Sequence, residues 1–343
     1  MHRLRADALA FEHPDADLAR AVEASREHAM APTRGEGTAA QQSHIVAFQQ
    51  AALSAFAALI IGEHGQARKR IAALAGERAG LVTAWLIGRY YGYTGDPEAV
   101  AWLRPAAEAL GFASTVGPWT GESPQRDPLL PAVARDLIAI ADIAGDPELA
   151  GIVRRLAGGA NPSLPVDAVL ERLANVSATA GEHAPGRALE ALLAGRTDAG
   201  VTEWETLARA DRTGARDWVL PLLATGILGI EPDAERGRLR FRLHVPAAWP
   251  RWGAVNIHIG DAAVDLHVVR DATDITISVD QARGALPLTL ILEPTVHAPV
   301  EACFVDGQDA ELTLRRLPDR VIVPVQLVLE VPRELRISLG HPG

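Results

Sequence analysis

The hydrophobic pattern of this chain changes its period once, and that change limits what the chain can fold into. From residue 14 to about residue 230, apolar residues recur at helical spacing in Ala- and Leu-rich segments broken by Gly and Pro. From Arg238 to the end they alternate. One side-chain period belongs to a helix and the other to a strand, and neither substitutes for the other. The chain therefore reads as multi-domain, α then β. Its spans are an N-terminal extension (1–13), a helical domain (14–232) and a C-terminal antiparallel β-sandwich (233–343), with the break at 231–237.

The helical span is organised as hairpins. Residues Ala47 to Ile61 are apolar nearly all round, which predicts a buried inner helix. Leu81 to Tyr93 follows, then Thr94-Gly95-Asp96-Pro97-Glu98. Here Gly95 ends one helix, Asp96 caps the next, Pro97 fits its first turn, and Glu98 complements its positive end. The same device returns as Ala144-Gly145-Asp146-Pro147-Glu148, 50 residues later. Gly62-Glu63-His64-Gly65 is a weaker relative. A long apolar helix, a tight turn and a second helix, repeated, predict stacked helical hairpins.

The stranded span opens with Arg238-Leu239-Arg240-Phe241-Arg242-Leu243. Further alternating runs cover Val255–Ile259, Val264–Val268 and Ile275–Val279, and later runs begin at Leu286, Val300, Leu312, Val321 and Leu335. Turn pairs such as Gly260-Asp261 and Asp306-Gly307 separate them. Strands of this number and length suit a sandwich.

Composition excludes several classes of function. The net charge is −10 and the pI about 5.6, against a nucleic-acid backbone as partner. A single cysteine, Cys303, excludes a disulfide framework and a thiolate zinc cage. Residues 1–20 carry charge throughout, and no apolar run reaches the roughly 20 residues of a bilayer span, so no membrane is expected and the expected location is cytoplasmic. If Val255–Ile259 and Val264–Val268 pair, Asn256, His258, Asp265 and His267 would share the polar face. Sandwich faces routinely carry such residues, so no metal site is assigned.

Particular words go further. Leu81-Val82-Thr83-Ala84-Trp85-Leu86-Ile87-Gly88-Arg89-Tyr90-Tyr91-Gly92-Tyr93-Thr94-Gly95-Asp96 resembles a helix-and-turn motif of the six-hairpin glycosidases. Trp218–Asp233 resembles the last barrel helix entering the C-terminal β-domain of bacterial glycogen-debranching proteins. Gly237-Arg238-Leu239-Arg240 and Asn256-Ile257-His258-Ile259-Gly260 resemble that domain's opening strands. The resemblance implies an α/α toroid, a glucoamylase or debranching type of activity, an oligosaccharide or α-glucan partner, and no cofactor. In such enzymes one carboxyl protonates the leaving oxygen while the other activates water, and inversion sets them roughly 6.5–9.5 Å apart.

Carried over residue by residue, the resemblance implies Glu203 as general base, from Gly200-Val201-Thr202-Glu203, with Thr202 where the family usually has Pro. It implies Glu122, in the Trp-containing loop Gly117–Pro124, as acid. Trp119 and Trp204 would be sugar platforms and Arg89 a further substrate contact, against core packing or ion pairing as their ordinary roles. Gln49 and Gln50 stand where the family commonly has an Arg-Asp pair. Amides bond hydroxyls, but without the roughly twofold stronger charged bonds. That exchange and the short helical span motivate an alternative: a catalytically inactive relative that binds carbohydrate or protein.

Overall fold

The computed structural model describes residues 8–31, 44–77, 80–99, 101–106, 133, 137–138, 140–142, 145, 147–157, 168–179, 183–210 and 212–340. A helical part precedes a region of sheets, as the change of period demands. The described helices are α1 (Ala16–Met30), α2 (His44–Ile60), α3 (His64–Glu77), α4 (Leu81–Thr94), α5 (Pro147–Ala157), α6 (Ala168–Thr179), α7 (Ala184–Leu193), α8 (Thr197–Arg209) and α9 (Thr213–Pro221).

Burial follows the pattern. Leu53, Phe56, Leu59, Ile60 and Ile61 of α2 and its exit are buried, and Trp85, Leu86, Ile87, Tyr90 and Tyr93 of α4 pack beside them. Asp15 caps α1 by accepting the Asp17 and Leu18 amides. The α2 exit is a left-handed cap. Gly62 has φ +83°, and the Glu63 amide reaches back five residues to the Ala58 carbonyl at 2.9 Å. Gly95 and Gly145, the glycines of the repeated pentapeptide, likewise have φ of +65° and +66°. Past Pro221 the chain winds into a π turn, Leu222–Ile227, closed by the Leu228 amide on the Leu223 carbonyl.

The C-terminal strands are β2 (Ile230–Asp233), β3 (Arg238–Phe241), β4 (Arg251–Ile259), β5 (Ala262–Arg270), β6 (Asp274–Arg283), β7 (Thr289–Leu292), β8 (Thr295–Val296), β9 (Val300–Val305), β10 (Gln308–Asp309), β11 (Arg315–Arg316), β12 (Val321–Ile322), β13 (Val325–Val328) and β14 (Arg333–Leu339). One further strand, β1 (Ala10–Glu12), comes from the chain's beginning. The large sheet runs β1-β4-β5-β6-β14-β9-β10, beside a sheet β13-β7-β3-β2 and a small one β11-β12-β8. Among the described residues the ladders are antiparallel with one exception: β3 and β7 pair in parallel, Arg238 opposite Thr289.

Two features differ from the expectation. The segment read as an N-terminal extension contributes β1, with Phe11 opposite Ala254 of β4. Phe11 then packs against Trp204, Trp249 and Trp252, with centroids 5.7–6.5 Å apart. The β4–β5 hairpin also slips register between Ala254 and Ile257, where Asn256 takes φ +57° and its amide bonds the Asp265 carboxylate. The bulge sets two residues, Val255 and Asn256, opposite Asp265, while His258 pairs with Ala263 on the face that also carries Asp265 and His267. His258 is buried, whereas His267 is exposed beside Glu12. Among the described residues no three His, Cys, Asp or Glu groups converge as metal ligands.

Candidate functional site

Helix α4 carries the Arg-Tyr-Tyr-Gly word, and its geometry shows why those residues belong together. Arg89 is buried and donates through Nη2 to the Ile230 carbonyl at 2.8 Å. Its guanidinium lies 5.9 Å from both the Phe56 and Tyr93 rings, close enough for a cation–π contribution. Gly92 passes so near β2 that a Cβ there would stand 2.8 Å from the Pro232 carbonyl oxygen. The Ala234 amide bonds Gly92, and the Gly260 amide bonds Tyr93. This end of α4 clamps the helical part to the sheets. The partner of Arg89 is a carbonyl and two rings, not the carboxylate that a buried guanidinium first suggests.

Gln49 sits where α2, α6 and α9 meet. It is 4% exposed, and its Nε2 donates to the Leu173 carbonyl at 2.9 Å and to Ser177 Oγ at 2.5 Å. The Trp218 indole N–H reaches the same Ser177 oxygen at 3.2 Å. The residue before Trp218, Asp217, is buried against His28 at 2.9 Å. Burial raises its carboxyl above the ordinary range, and the imidazole partly opposes that rise. Gln50 is half-buried on the same helix.

Glu203 and Trp204 are adjacent in α8 and face opposite ways. Arg187 of α7 clamps both oxygens of Glu203, at 3.1 and 3.0 Å, and the carboxylate is 32% exposed. Trp204 is fully buried, with its N–H on the Val219 carbonyl at 3.0 Å and its rings against Phe11 and Trp249. An indole so enclosed presents no face to a sugar. Glu122 and Trp119 lie outside the described residues. Among the sequence-selected positions that are described, Gln49 and Glu203 make no contact with each other, and each has its own protein partners.

The seam between helices and sheets brings together residues that the sequence did not connect. At the start of α8, Thr197 Oγ1 lies 2.8 Å from His244 Nδ1 and 3.0 Å from His297 Nε2. His297 Nδ1 faces the Asp319 carbonyl at 3.1 Å, so it carries a proton. In an uncharged His297 ring, Nε2 accepts the Thr197 hydroxyl proton, and Thr197 in turn accepts from His244 Nδ1–H. Burial first, then the charges of His297, Arg242 and Arg320, push His244 down to about 4. A second imidazole pair joins α3 to β4. The His64 and His258 rings meet edge to face at 6.0 Å. Burial, then His258, depress His64 to about 4. Beside them is a cavity of about 270 Å³ lined by Glu63, His64, His258, Asp261 and Arg283. The sequence marks its parts separately, in the Gly62-Glu63-His64-Gly65 turn, in His258 and in the Gly260-Asp261 turn, and gives no sign that they meet.

No protein-family model and no curated protein matches this chain. The architecture does match solved structures. An α-L-rhamnosidase from Dictyoglumus thermophilum superposes over 96% of this chain and 50% of its own length, with TM-score 0.56 and 10% identity. The fold is glycoside-hydrolase-like. A GH78-family rhamnosidase of Bacillus sp. GL1 is also similar, over 77% of this chain and 41% of its own, with TM-score 0.49 and 14% identity. The chain spans about half the length of these two structures, or less. No helix among the described residues is long and apolar enough to cross a membrane.

Proposed function

We propose that this protein recognises carbohydrate through a glycosidase-type scaffold and does not hydrolyse glycosidic bonds through Glu203. In this reading the helical hairpins belong to an α/α toroid and the sheets to a β-sandwich. The observation that carries it is Gln49. Where the resembled enzymes hold sugar hydroxyls with a charged pair, this chain has an amide turned inward onto Leu173 and Ser177. The residue serves helix packing. The double clamp of Arg187 on Glu203 fits the same reading, because both carboxylate oxygens are already engaged by a partner within the protein.

The second reading is inverting hydrolysis of an α-glucan-type bond, with Glu203 as base and Glu122 as acid. Its support is that Glu203 is held in one geometry and still reaches water. Incubation with maltooligosaccharides and with rhamnose-containing oligosaccharides separates the two readings. Binding with no sugar released is the expected result. Release that vanishes in Glu203→Gln establishes the second reading and overturns the first.

A further inference from the structure

The cavity at the seam has an unusual chemical balance. Glu63 and Asp261 supply acceptors, Arg283 supplies donors, and two imidazoles stand between them. Its polar groups come from both parts of the molecule: Glu63 and His64 from the α2–α3 turn, His258, Asp261 and Arg283 from the β4–β5–β6 end. Close approach of these walls depends on Gly62. A Cβ there would lie 2.4 Å from the His258 ring, so only the bare backbone lets the turn close over the imidazole.

Hydrogen-bond roles in the cavity follow from donor chemistry. Arg283 can only donate, so its 3.1 Å contact makes His258 Nδ1 an acceptor and puts the ring proton on Nε2. His258 is therefore a neutral donor and is 7% exposed. His64 Nε2 is buried and has no partner in the protein. An orphaned polar atom of that kind costs about 1–3 kcal/mol unless something arrives to bond it. His64 is also held uncharged near neutral pH.

These constraints select the ligand's chemistry. A carboxylate or phosphate entering here meets Glu63 and Asp261. An ammonium group meets Arg283. The metal reading fails, because among the described residues no three ligating groups converge. A hydroxyl both donates and accepts, so it satisfies His64 Nε2 in either tautomer while serving a carboxylate or the guanidinium with its other function. The volume, about 270 Å³, lies just below the usual range of small-molecule sites, about 300–1,000 Å³, and suits one small ring.

We propose that the seam cavity is a binding site for a neutral, polyhydroxylated small molecule of monosaccharide size, held between the α2–α3 turn and the β4–β6 hairpins. It involves neither Gln49 nor Glu203, so it stands or falls independently of the function proposed above.

The test uses the full chain and four probes: D-glucose and myo-inositol as neutral polyols, D-glucuronate as anion and D-glucosamine as cation. Histidine ring resonances are assigned with His64→Gln and His258→Gln and followed during titration. The neutral polyols are expected to shift the His64 and His258 signals saturably, with Kd in the millimolar range, more tightly than either charged probe. An Asp261→Ala/Arg283→Ala double variant changes two exposed side chains, and its thermal transition confirms that it folds. It should bind the polyols at least about tenfold more weakly, equivalent to about 1.4 kcal/mol. Three results would each overturn the proposal. These are no saturable shift of either ring with any neutral polyol, unchanged affinity in the double variant, and tighter binding of a charged probe.

Discussion

Acid should loosen this protein at its seam before it affects the rest, and two histidines set the size of the effect. His64 and His244 have ordinary values of 6.5 in the unfolded chain and about 4 in the fold. Above 6.5 neither state binds the proton, and the full stability is present. As pH falls from 6.5 to about 4 the unfolded chain takes up protons that the folded seam refuses, so stability drops throughout that window and levels off below it. At about 1.4 kcal/mol per pH unit, each histidine removes on the order of 3 kcal/mol across the window. The groups facing His244 are Thr197, His297, Arg242 and Arg320, and those around His64 are His258, Glu63 and Arg283. The cations among them discourage protonation. With an unfolding entropy of about 2.1 cal/mol/K per residue, 3 kcal/mol lowers the transition by about 4 °C in a chain this long. The assay is thermal unfolding at pH 7.5, 6.5, 5.5 and 4.5 for the wild type and for His64→Gln/His244→Gln, whose amides keep a donor and an acceptor without a titrating group. The wild type should lose about 7 °C more than the double variant between pH 7.5 and 4.5, because the lowest pH stops short of the end of the window. Equal losses, within about 2 °C, would refute the assignment of acid sensitivity to these rings.

Other substitutions probe separate joints. Trp204→Ala removes a fully enclosed indole and should cost about 3–5 kcal/mol in chemical denaturation. Glu203→Gln breaks only a half-exposed pair, so stability should change by less than about 1 kcal/mol, whatever it does to any sugar release. Gly62→Ala imposes a side chain at φ +83° against the His258 ring and should destabilise by more than about 1 kcal/mol, measured by urea unfolding. Arg89→Ala strands the Ile230 carbonyl and removes a guanidinium from two rings. A loss of about 2–4 kcal/mol in the same assay is expected, with incomplete rescue by Arg89→Lys.

The period of the apolar residues separated a helical part from the sheets that follow it, because burial of one face is a local property of sequence. The left-handed glycines of the pentapeptide turns were legible for the same reason: only glycine tolerates that backbone readily. What escaped was everything set by distant segments. The bulge at Asn256 depends on the Asp265 side chain across the hairpin, and the burial of His258 depends on the α2–α3 turn that closes over it. The inward turn of Gln49 depends on Ser177, 128 residues away. The relay through Thr197 joins residues 47 and 100 positions apart. Trp204 looked available because its neighbours in sequence are polar, yet helical geometry points it away from Glu203 and into the aromatic cluster.

The short strand β1 makes the molecule's ends interdependent. Ala10 to Glu12 complete the edge of a sheet whose other members all lie beyond residue 250. The sheet region is therefore not a detachable module, although the change of period suggests one. A fragment beginning at residue 233 would bare the outer side of β4 and uncover Trp249 and Trp252, leaving an unpaired edge beside exposed indoles, a known route to aggregation. During synthesis the first strand to emerge waits for its neighbour until nearly three quarters of the chain has been made. Long-range closure of this kind slows the last step of folding more than any helix in between.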